Sequence, residues 1–532
     1  SEARTDYAVL GDSIILAQRL ESAAPRGEIY VGDLTYRLTK NSFAFEWVGE
    51  LTVKGKSEPV PAWRLVGALD APLAEAAGAS RASAALLGRE TEFDRASLAL
   101  SRLVEGGGGL LTVVGEAGVG KSRFTREVAS DAQRRGLRWM QVRCLSHGAA
   151  LTYSPFAQLV RDFAQINITQ PPELAVSALA TALARTGNEE AGPYFARLLG
   201  LPPVDDASDV AALAPEAFRR GLHDAFARWL VSISVTDRLV VMIEDCQWMD
   251  PSSRVLAEEL LSSRAGGRFL LCLAARTDGQ ETLDKLSAVA DHLDTDKIKL
   301  GNFDSAQVEF FLSQILEAKP PKNLAKLVYD RTGGNPFFVE ELVQALLDEG
   351  AIVRGGRGWR MHQGWQEATV PPNLEGVLSA RIDRLPTIAR TTLLDAAVIG
   401  RRIPPQLLDG ISPRAADGVP DLIEKGFFTI VPNSEGELEF SNALVQEAAY
   451  ARLLRRQRRA LHKRVAELAE TLYGAGDDVI DMLARHAYLG NVGSKAIGLL
   501  VRAGERAERL FANEQAIVHL TRALELARAE PD

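Results

Sequence analysis

The sequence predicts a multidomain α/β plus α protein, and three observations carry that prediction. Short apolar, β-branched runs alternate with stretches of helical spacing through the middle of the chain, as in an open, mostly parallel sheet covered on both faces. The first of these runs, Leu110–Val114, leads directly into Gly115-Glu116-Ala117-Gly118-Val119-Gly120-Lys121-Ser122 and then into a helical pattern. Beyond the sheet the pattern turns almost wholly helical, with alanine and leucine recurring from Ala484 to Ala527. At 532 residues the chain has room for three or more domains.

In chain order, residues 1–66 read as a small α+β piece. Asp6–Leu10 fits a strand. Ser13–Ala24 has helical apolar spacing, Glu28–Val31 alternates like a strand, and Phe43–Lys54 reads as a hairpin. Residues 67–85, rich in alanine with Pro72 and Gly78, read as a linker. Residues 86–280 form the central unit, with strands expected at Leu110–Val114, Trp139–Cys144, Leu239–Ile243 and Phe269–Ala274, and a further one at Lys297–Leu300.

Residues 281–355 look helical and form a lid. Asp304 or Ser305 caps a helix running through Leu316. Gly333-Gly334-Asn335-Pro336 makes a turn in which Pro336 starts the next helix. Residues 356–455 mix helices with a hairpin at Phe427–Phe440, a winged-helix-like unit. Arg452, Arg455, Arg456, Arg458, Arg459, Lys463 and Arg464 give the solvated face of an amphipathic helix whose apolar side is Leu453, Leu454, Leu461 and Val465. In residues 456–532, small residues at Ala496, Ala503, Ala507, Ala512 and Ala516, with Leu500, Leu520, Ala523 and Leu524, suit closely paired helices. These read as the start of a tetratricopeptide-type array or as a plain bundle.

Chemistry concentrates at strand ends. The glycines of Gly115–Ser122 let backbone N–H groups turn in around a phosphate, and the following helix adds its positive end. Lys121 can reach the β- and γ-phosphates, and the Ser122 hydroxyl can ligate Mg²⁺. Leu239–Ile243 ends in Glu244-Asp245, where one carboxylate would hold Mg²⁺ and the other would orient or deprotonate a water. Phe269–Ala275 ends in Arg276, placed to read a γ-phosphate.

A net charge of -9 argues against a general nucleic-acid binder. Cys144, Cys246 and Cys272 form no close pair in sequence and suit a reducing cytoplasm. The seven histidines form no metal-ligand motif, and no apolar run is long enough to span a bilayer. The chain starts at Ser1 and ends within a helical pattern, as a fragment would.

Two resemblances add to this. Gly11–Leu20, Pro25–Ile29 and Leu51–Lys56 resemble the C-terminal third of a class III adenylate/guanylate cyclase domain. There an asparagine and an arginine orient ribose and stabilise the transition state. Arg19 matches the arginine, but Ile15 stands in the asparagine's place and cannot make its hydrogen bond. The family's metal-binding aspartates would lie before residue 1. The resemblance therefore implies a non-catalytic remnant.

The joint set Leu87–Glu90, Gly115–Ser122, Ile243–Ser253, Ala275-Arg276 and Gly333–Leu342 resembles the STAND-type signal-transduction ATPases, relatives of the AAA+ proteins, over residues 86–465. That resemblance implies a slowly hydrolysing ATP/ADP switch using Mg²⁺. Nucleotide contacts are implied for Gly88, Arg89, the loop residues Gly115, Glu116, Ala117, Gly118, Val119, Gly120, Lys121 and Ser122, and Arg123. Lys121, Glu244, Asp245 and Arg276 take the catalytic roles, Arg276 as the sensor arginine. Pro336 matches a lid proline that packs on adenine. Asn442 stands where many members have a histidine that contacts the ADP β-phosphate; the amide can donate there but carries no charge. The implied partner is a protein or signal met by the helical repeats, with oligomerisation in the ATP state. Nucleic acid enters only through a DNA-binding domain outside this chain. The competing readings are an active cyclase with a regulatory ATPase, a transcriptional regulator, and a non-hydrolysing scaffold.

Overall fold

The computed structural model describes residues 12–25, 27–32, 35–36, 43–51, 60–68, 87–144, 151–167, 170–203, 209–263, 268–321, 323–355, 358–362, 371, 373–431, 434 and 436–529. The strand expected at Asp6–Leu10 and residues 69–85 of the expected linker lie outside them.

The N-terminal piece is a helix, Asp12–Ala23, beside a three-stranded antiparallel sheet of β1 (Tyr30–Gly32), β2 (Phe43–Leu51) and β3 (Val60–Ala68) in the order β1-β3-β2. The hairpin expected within Phe43–Lys54 is not there: Phe43–Leu51 is one continuous strand, paired along its length with β3. Gly49, at φ +127°, sits at a bulge where the register shifts, and the chain runs straight on. β3 continues through Ala68, past the point where the linker was expected to begin.

The central sheet comprises β4 (Gly109–Gly115), β5 (Arg138–Arg143), β6 (Leu239–Glu244), β7 (Leu270–Ala275) and β8 (Asp294–Leu300), all parallel, in the order β5-β6-β7-β4-β8. Each expected strand is present within a few residues. β6 and β7 are buried throughout, as strands covered on both faces must be. Alternate side chains feed two cores. Val241 and Ile243 join Phe156, Phe226 and Trp229 from the helices between β5 and β6, while Val240 and Met242 join Phe124 and Val128 from the helix after the glycine loop. β4 lies between β7 and β8, so the chain crosses β7 and β6 to reach β5. The strand order reverses beside β4, and its carboxyl end is where a sheet of this kind receives ligands.

After β8 come helices Ser305–Ile315, Leu324–Thr332 and Pro336–Asp348. A capping box on Asp304 starts the first, and Asn335 caps the third with Pro336 at its first turn. The helical expectation through residue 355 fails at its end. β9 (Ile352–Gly355) pairs with β10 (Gly358–Met361), two short runs rich in β-branched and aromatic residues. The next unit packs helices Leu374–Asp383, Thr387–Ile399, Pro405–Ile411, Ala415–Glu424 and Ala443–Arg452 around a small sheet of β11 (Arg402–Ile403), β12 (Phe428–Ile430) and β13 (Leu438–Phe440). Helices Arg455–Tyr473, Ile480–Gly490, Ser494–Arg509 and Asn513–Ala529 follow, each packed on the next.

Two apolar assignments are corrected. Leu454 is exposed because it stands just before the helix that begins at Arg455. Leu520 and Leu524 are also exposed, since Ala516, His519 and Ala523 form the inward face of the last helix. Gly504 allows the close approach there: a Cβ would meet Leu520 Cδ2 at 2.9 Å.

Candidate functional site

The glycine loop joins β4 to the helix Lys121–Arg134. Gly118 and Gly120 have φ of +79° and +98°, values that turn the backbone inward and that L side chains rarely adopt. No side chain caps this helix. The N–H groups of Lys121 and Ser122 have no backbone acceptor among the described residues, leaving donors at the positive helix end. Lys121 Nζ donates to Gly115 O at 2.8 Å and Glu116 O at 2.9 Å. Burial lowers its ammonium to about 8, Arg276 adds to that, and Asp245, Asp278 and Glu244 oppose it. Ser122 is exposed. These donors, with an exposed hydroxyl and two carboxylates nearby, fit a Mg²⁺-bound nucleoside polyphosphate.

The lid sits on this loop. Asn335 Nδ2 donates to Ala117 O at 2.8 Å, and Phe337 N donates to Gly118 O at 3.1 Å. A Cβ on Gly118 would lie 2.8 Å from Asn335 Oδ1 and 2.9 Å from Phe337 Cβ, so the loop glycine also admits the lid. Pro336, between them, is buried. Gly88 packs against Gln307 at the start of the lid's first helix. Arg89, beside it, donates to Gly301 O and lies 5.4 Å over the Phe303 ring. Arg123 is partly buried; burial lowers its guanidinium, Glu127 raises it, and Glu340 of the lid adds to that.

Glu244 and Asp245 end β6 inside a network of charges. Glu244 is 3% exposed; it accepts from Thr125 Oγ1 at 2.9 Å and from Arg143 Nε at 3.0 Å. Burial alone would raise its carboxyl, but the Arg143 charge and hydrogen bonds, with Thr125 and Arg401, hold it below the usual range. Asp245 adopts φ +57°, a strained setting that aspartate tolerates better than most residues. Its Oδ2 lies 3.3 Å from Arg401 Nη1 and 3.5 Å from Arg143 Nε. Glu439 on β13 closes the ring, bonding Arg143 and lying 3.0 Å from Arg401 Nε. Both acids are thus joined to the winged-helix-like unit.

Arg276 follows β7 and is joined to the same unit. Its guanidinium lies 2.8 Å from Glu447 Oε1 and 4.8 Å over the Trp248 ring, while Gln247 Oε1 accepts from its backbone N–H at 3.0 Å. Asn442 is used differently from the implied phosphate contact. Its side-chain oxygen caps the helix Ala443–Arg452, accepting from Leu444 N at 2.9 Å, and it is Glu447 of that helix that reaches the core. Arg19 lies on the helix Asp12–Ala23, partly buried; the Ile15 side chain is outside the described residues.

The structure therefore brings Lys121, Glu244, Asp245 and Arg276 to adjacent carboxyl ends of β4, β6 and β7, with Asn335–Phe337 against the loop. Sequence reasoning missed Asn335, Phe337, Arg143, Arg401, Glu439 and Glu447. Arg143 alone carried a signal, as a charged residue at the end of an expected strand beside the acids. Among the described residues no group of three or more His, Cys, Asp and Glu forms a metal cluster, and no helix is long and apolar enough to cross a membrane.

Residues 85–273 match the AAA ATPase domain, and residues 1–66 match the adenylate and guanylate cyclase catalytic domain. An uncharacterized protein of Rhizobium meliloti (strain 1021) is 27% identical over 99% of this chain; the chain spans about 50% of that relative's length. Among solved structures, the Aeropyrum pernix ORC2 protein in its ADPNP–ADP complexes is 16% identical with a TM-score of 0.31, covering 73% of this chain and 95% of that one. Cdc6p from Pyrobaculum aerophilum is 12% identical with a TM-score of 0.33, covering 73% and 96%. AMPPCP-bound DnaA from Aquifex aeolicus is 12% identical with a TM-score of 0.31, covering 84% and 96%.

Proposed function

We propose that this chain, an AAA ATPase domain carried behind a fragment of a nucleotide-cyclase catalytic domain, is a nucleotide-dependent signalling switch that binds ATP and hydrolyses it slowly. The observation behind this reading is a convergence. The lid seats Asn335 and Phe337 on the phosphate loop, and the winged-helix-like unit sends Arg401 to Asp245, Glu439 to Arg143 and Glu447 to Arg276. The groups that would sense and cleave a γ-phosphate are thus the groups that hold the downstream units.

Bound Mg²⁺–ATP would supply the phosphoryl group and its charge. The Lys121 ammonium and the amides of Lys121 and Ser122 would bind that charge, and Ser122 with Asp245 would face the metal. Glu244, ionised by its arginine neighbour, would orient or accept a proton from the attacking water. In the arrangement described here that carboxylate is engaged by Arg143, so turnover requires the network to loosen. ADP would favour whichever state it contacts more fully, by no more than its differential affinity.

Hydrogen exchange tests this. ADP is expected to protect residues 327–345 and 436–450 along with the phosphate loop, and Pro336→Ala is expected to speed displacement of labelled ADP in stopped flow. If only the phosphate loop is protected and ADP release is unchanged, the core binds nucleotide alone and the switch reading fails. The helical repeats are proposed to receive the signal from a protein partner, and oligomerisation to accompany the ATP state.

The N-terminal piece is proposed to be non-catalytic in this chain. The purified protein is expected to form no cyclic AMP or cyclic GMP with Mg²⁺ or Mn²⁺. Product that appears, and disappears with Arg19→Ala, would reverse this.

A further inference from the structure

A cleft of about 540 Å³ opens where the helices between β5 and β6 meet the C-terminal helices. One wall carries Arg161, Leu199 and Leu201; the other carries Leu472, Tyr473 and Asp478. The seam beside it is tight. Arg506 donates to Leu198 O at 2.8 Å and pairs with Asp481 at 2.9 Å, and Arg197 donates to Arg509 O at 2.8 Å. A Cβ on Gly200 would lie 2.6 Å from Asp478 N. The cleft is therefore a gap in a well-packed junction.

Two of its polar groups are not used internally. The partly buried Arg161 guanidinium makes no hydrogen bond or ion pair among the described residues, whereas the arginines around it are paired. The buried Tyr473 hydroxyl has no hydrogen-bond partner there either. Burial pulls Arg161 below its ordinary value, Arg506 adds to that, and Asp478 opposes it from a distance longer than an ion pair. Burial likewise raises the Asp478 carboxyl, against hydrogen bonds from its own and the Val479 backbone N–H and against Arg161 and Arg506. A partly desolvated cation without a partner is costly unless something in the gap carries the complementary charge, and the Asp478 carboxylate beside it leaves room for a positive group at the other end.

We propose that this cleft binds a small zwitterion of the amino-acid or short-peptide class. Its carboxylate sits on Arg161, its ammonium lies against Asp478, and its apolar side chains pack on Leu199, Leu201 and Leu472. A guanidinium presents its donors in a fork that fits a carboxylate. Asp478 disfavours a phosphate dianion and Arg161 disfavours a simple amine. The volume is within the ordinary range for small-molecule sites and exceeds that of one amino acid, so a dipeptide is the apt probe. Because its walls come from both modules, an occupant would tie them together. The site does not depend on the ATPase reading.

The test is calorimetric titration of the whole chain with leucyl-leucine, N-acetyl-leucyl-leucine, leucyl-leucinamide and inorganic phosphate. Saturable binding of leucyl-leucine is expected, with the acetylated and amidated forms each at least ~10-fold weaker, as for loss of one charge-assisted contact. Arg161→Met should abolish binding. Asp478→Asn should bind the free and acetylated dipeptides alike, and Leu472→Trp, which fills the cleft from a partly exposed position, should block both. Melting temperatures identify variants that have not folded, in which case Leu472→Trp alone decides. Absence of saturable heat with leucyl-leucine, unchanged binding by Arg161→Met or Leu472→Trp in folded protein, or tighter binding of phosphate than of the dipeptide would overturn the proposal.

Discussion

Lys121→Ala is expected to weaken ATP binding by roughly 30- to 150-fold, the equivalent of one or more hydrogen bonds to a charged group, ~2–3 kcal/mol. The melting temperature should stay within ~3 °C, because the lost contacts are two hydrogen bonds to loop carbonyls on a partly exposed side chain. The pH dependence gives a second signature. In the free protein the ammonium titrates at about 8, chiefly through burial. A polyphosphate beside it raises that value, since an opposite charge favours the charged form. Binding therefore takes up a proton once the free group begins to lose its own. Affinity should be at its plateau below pH about 8 and should fall above it, by at most ~tenfold per unit, until the bound group titrates in turn. The alanine variant should be weak and flat between pH 7 and 9. Fluorescent-nucleotide titration at several pH values measures both; equal affinities for the two proteins would remove Lys121 from the site.

Glu244→Gln is expected to slow single-turnover hydrolysis by ~10²-fold or more, the scale of lost general acid–base help, while ATP affinity changes by less than ~threefold. The glutamine keeps the shape and can still accept from Thr125, so the effect isolates charge and basicity. Arg401→Met should act in the opposite direction. It removes one cation from Asp245 and one tie to Glu439, loosening the unit that occupies the acids. Turnover should rise severalfold with binding little changed. Hydrolysis unaffected by Glu244→Gln would remove that carboxylate from the chemistry. Turnover that falls with Arg401→Met would make the network a support for the acids and not a restraint.

What the sequence made legible is what neighbouring residues decide. The β4 strand, the glycine loop and the helix after it are contiguous, and their spacing alone fixes donors, dipole and lysine in one place. The acids after β6 and Arg276 after β7 are legible for the same reason, once a parallel sheet puts strand ends together. The lid contact is not of that kind. Asn335 and Ala117 are 218 positions apart, and Gly333-Gly334-Asn335-Pro336 reads locally as a turn and a helix start, both of which it is. Arg401 reads as an ordinary charged residue until the fold brings it, with Arg143, to one carboxylate pair. Periodicity likewise identifies an apolar face but not whether anything covers it, which is why Leu520 and Leu524 were misassigned. The hairpin expected over Phe43–Lys54 failed for a different reason: Gly49 can serve a turn or a bulge, and only the partner strand distinguishes them.

The lid and the winged-helix-like unit are joined by more than the backbone between them. Arg381 is buried with Glu341 of the lid helix Pro336–Asp348, donates to Lys425 O at 2.9 Å, and lies 4.8 Å over the Phe427 ring. Removing either charge would strand the other without water, a cost of ~3–5 kcal/mol. The pair therefore couples the two units, which are expected to move together as a lever. Its short arm rests on the phosphate loop through Asn335 and Phe337, and its long arm carries Arg401, Glu439 and Glu447. Rotation that lifts the short arm is expected to draw Arg401 off Asp245, Glu439 off Arg143 and Glu447 off Arg276 together. Glu244 stays bonded to Arg143 and Thr125 of the sheet unit through that motion, so its first expected effect falls on Asp245 and Arg276, with Glu244 still held.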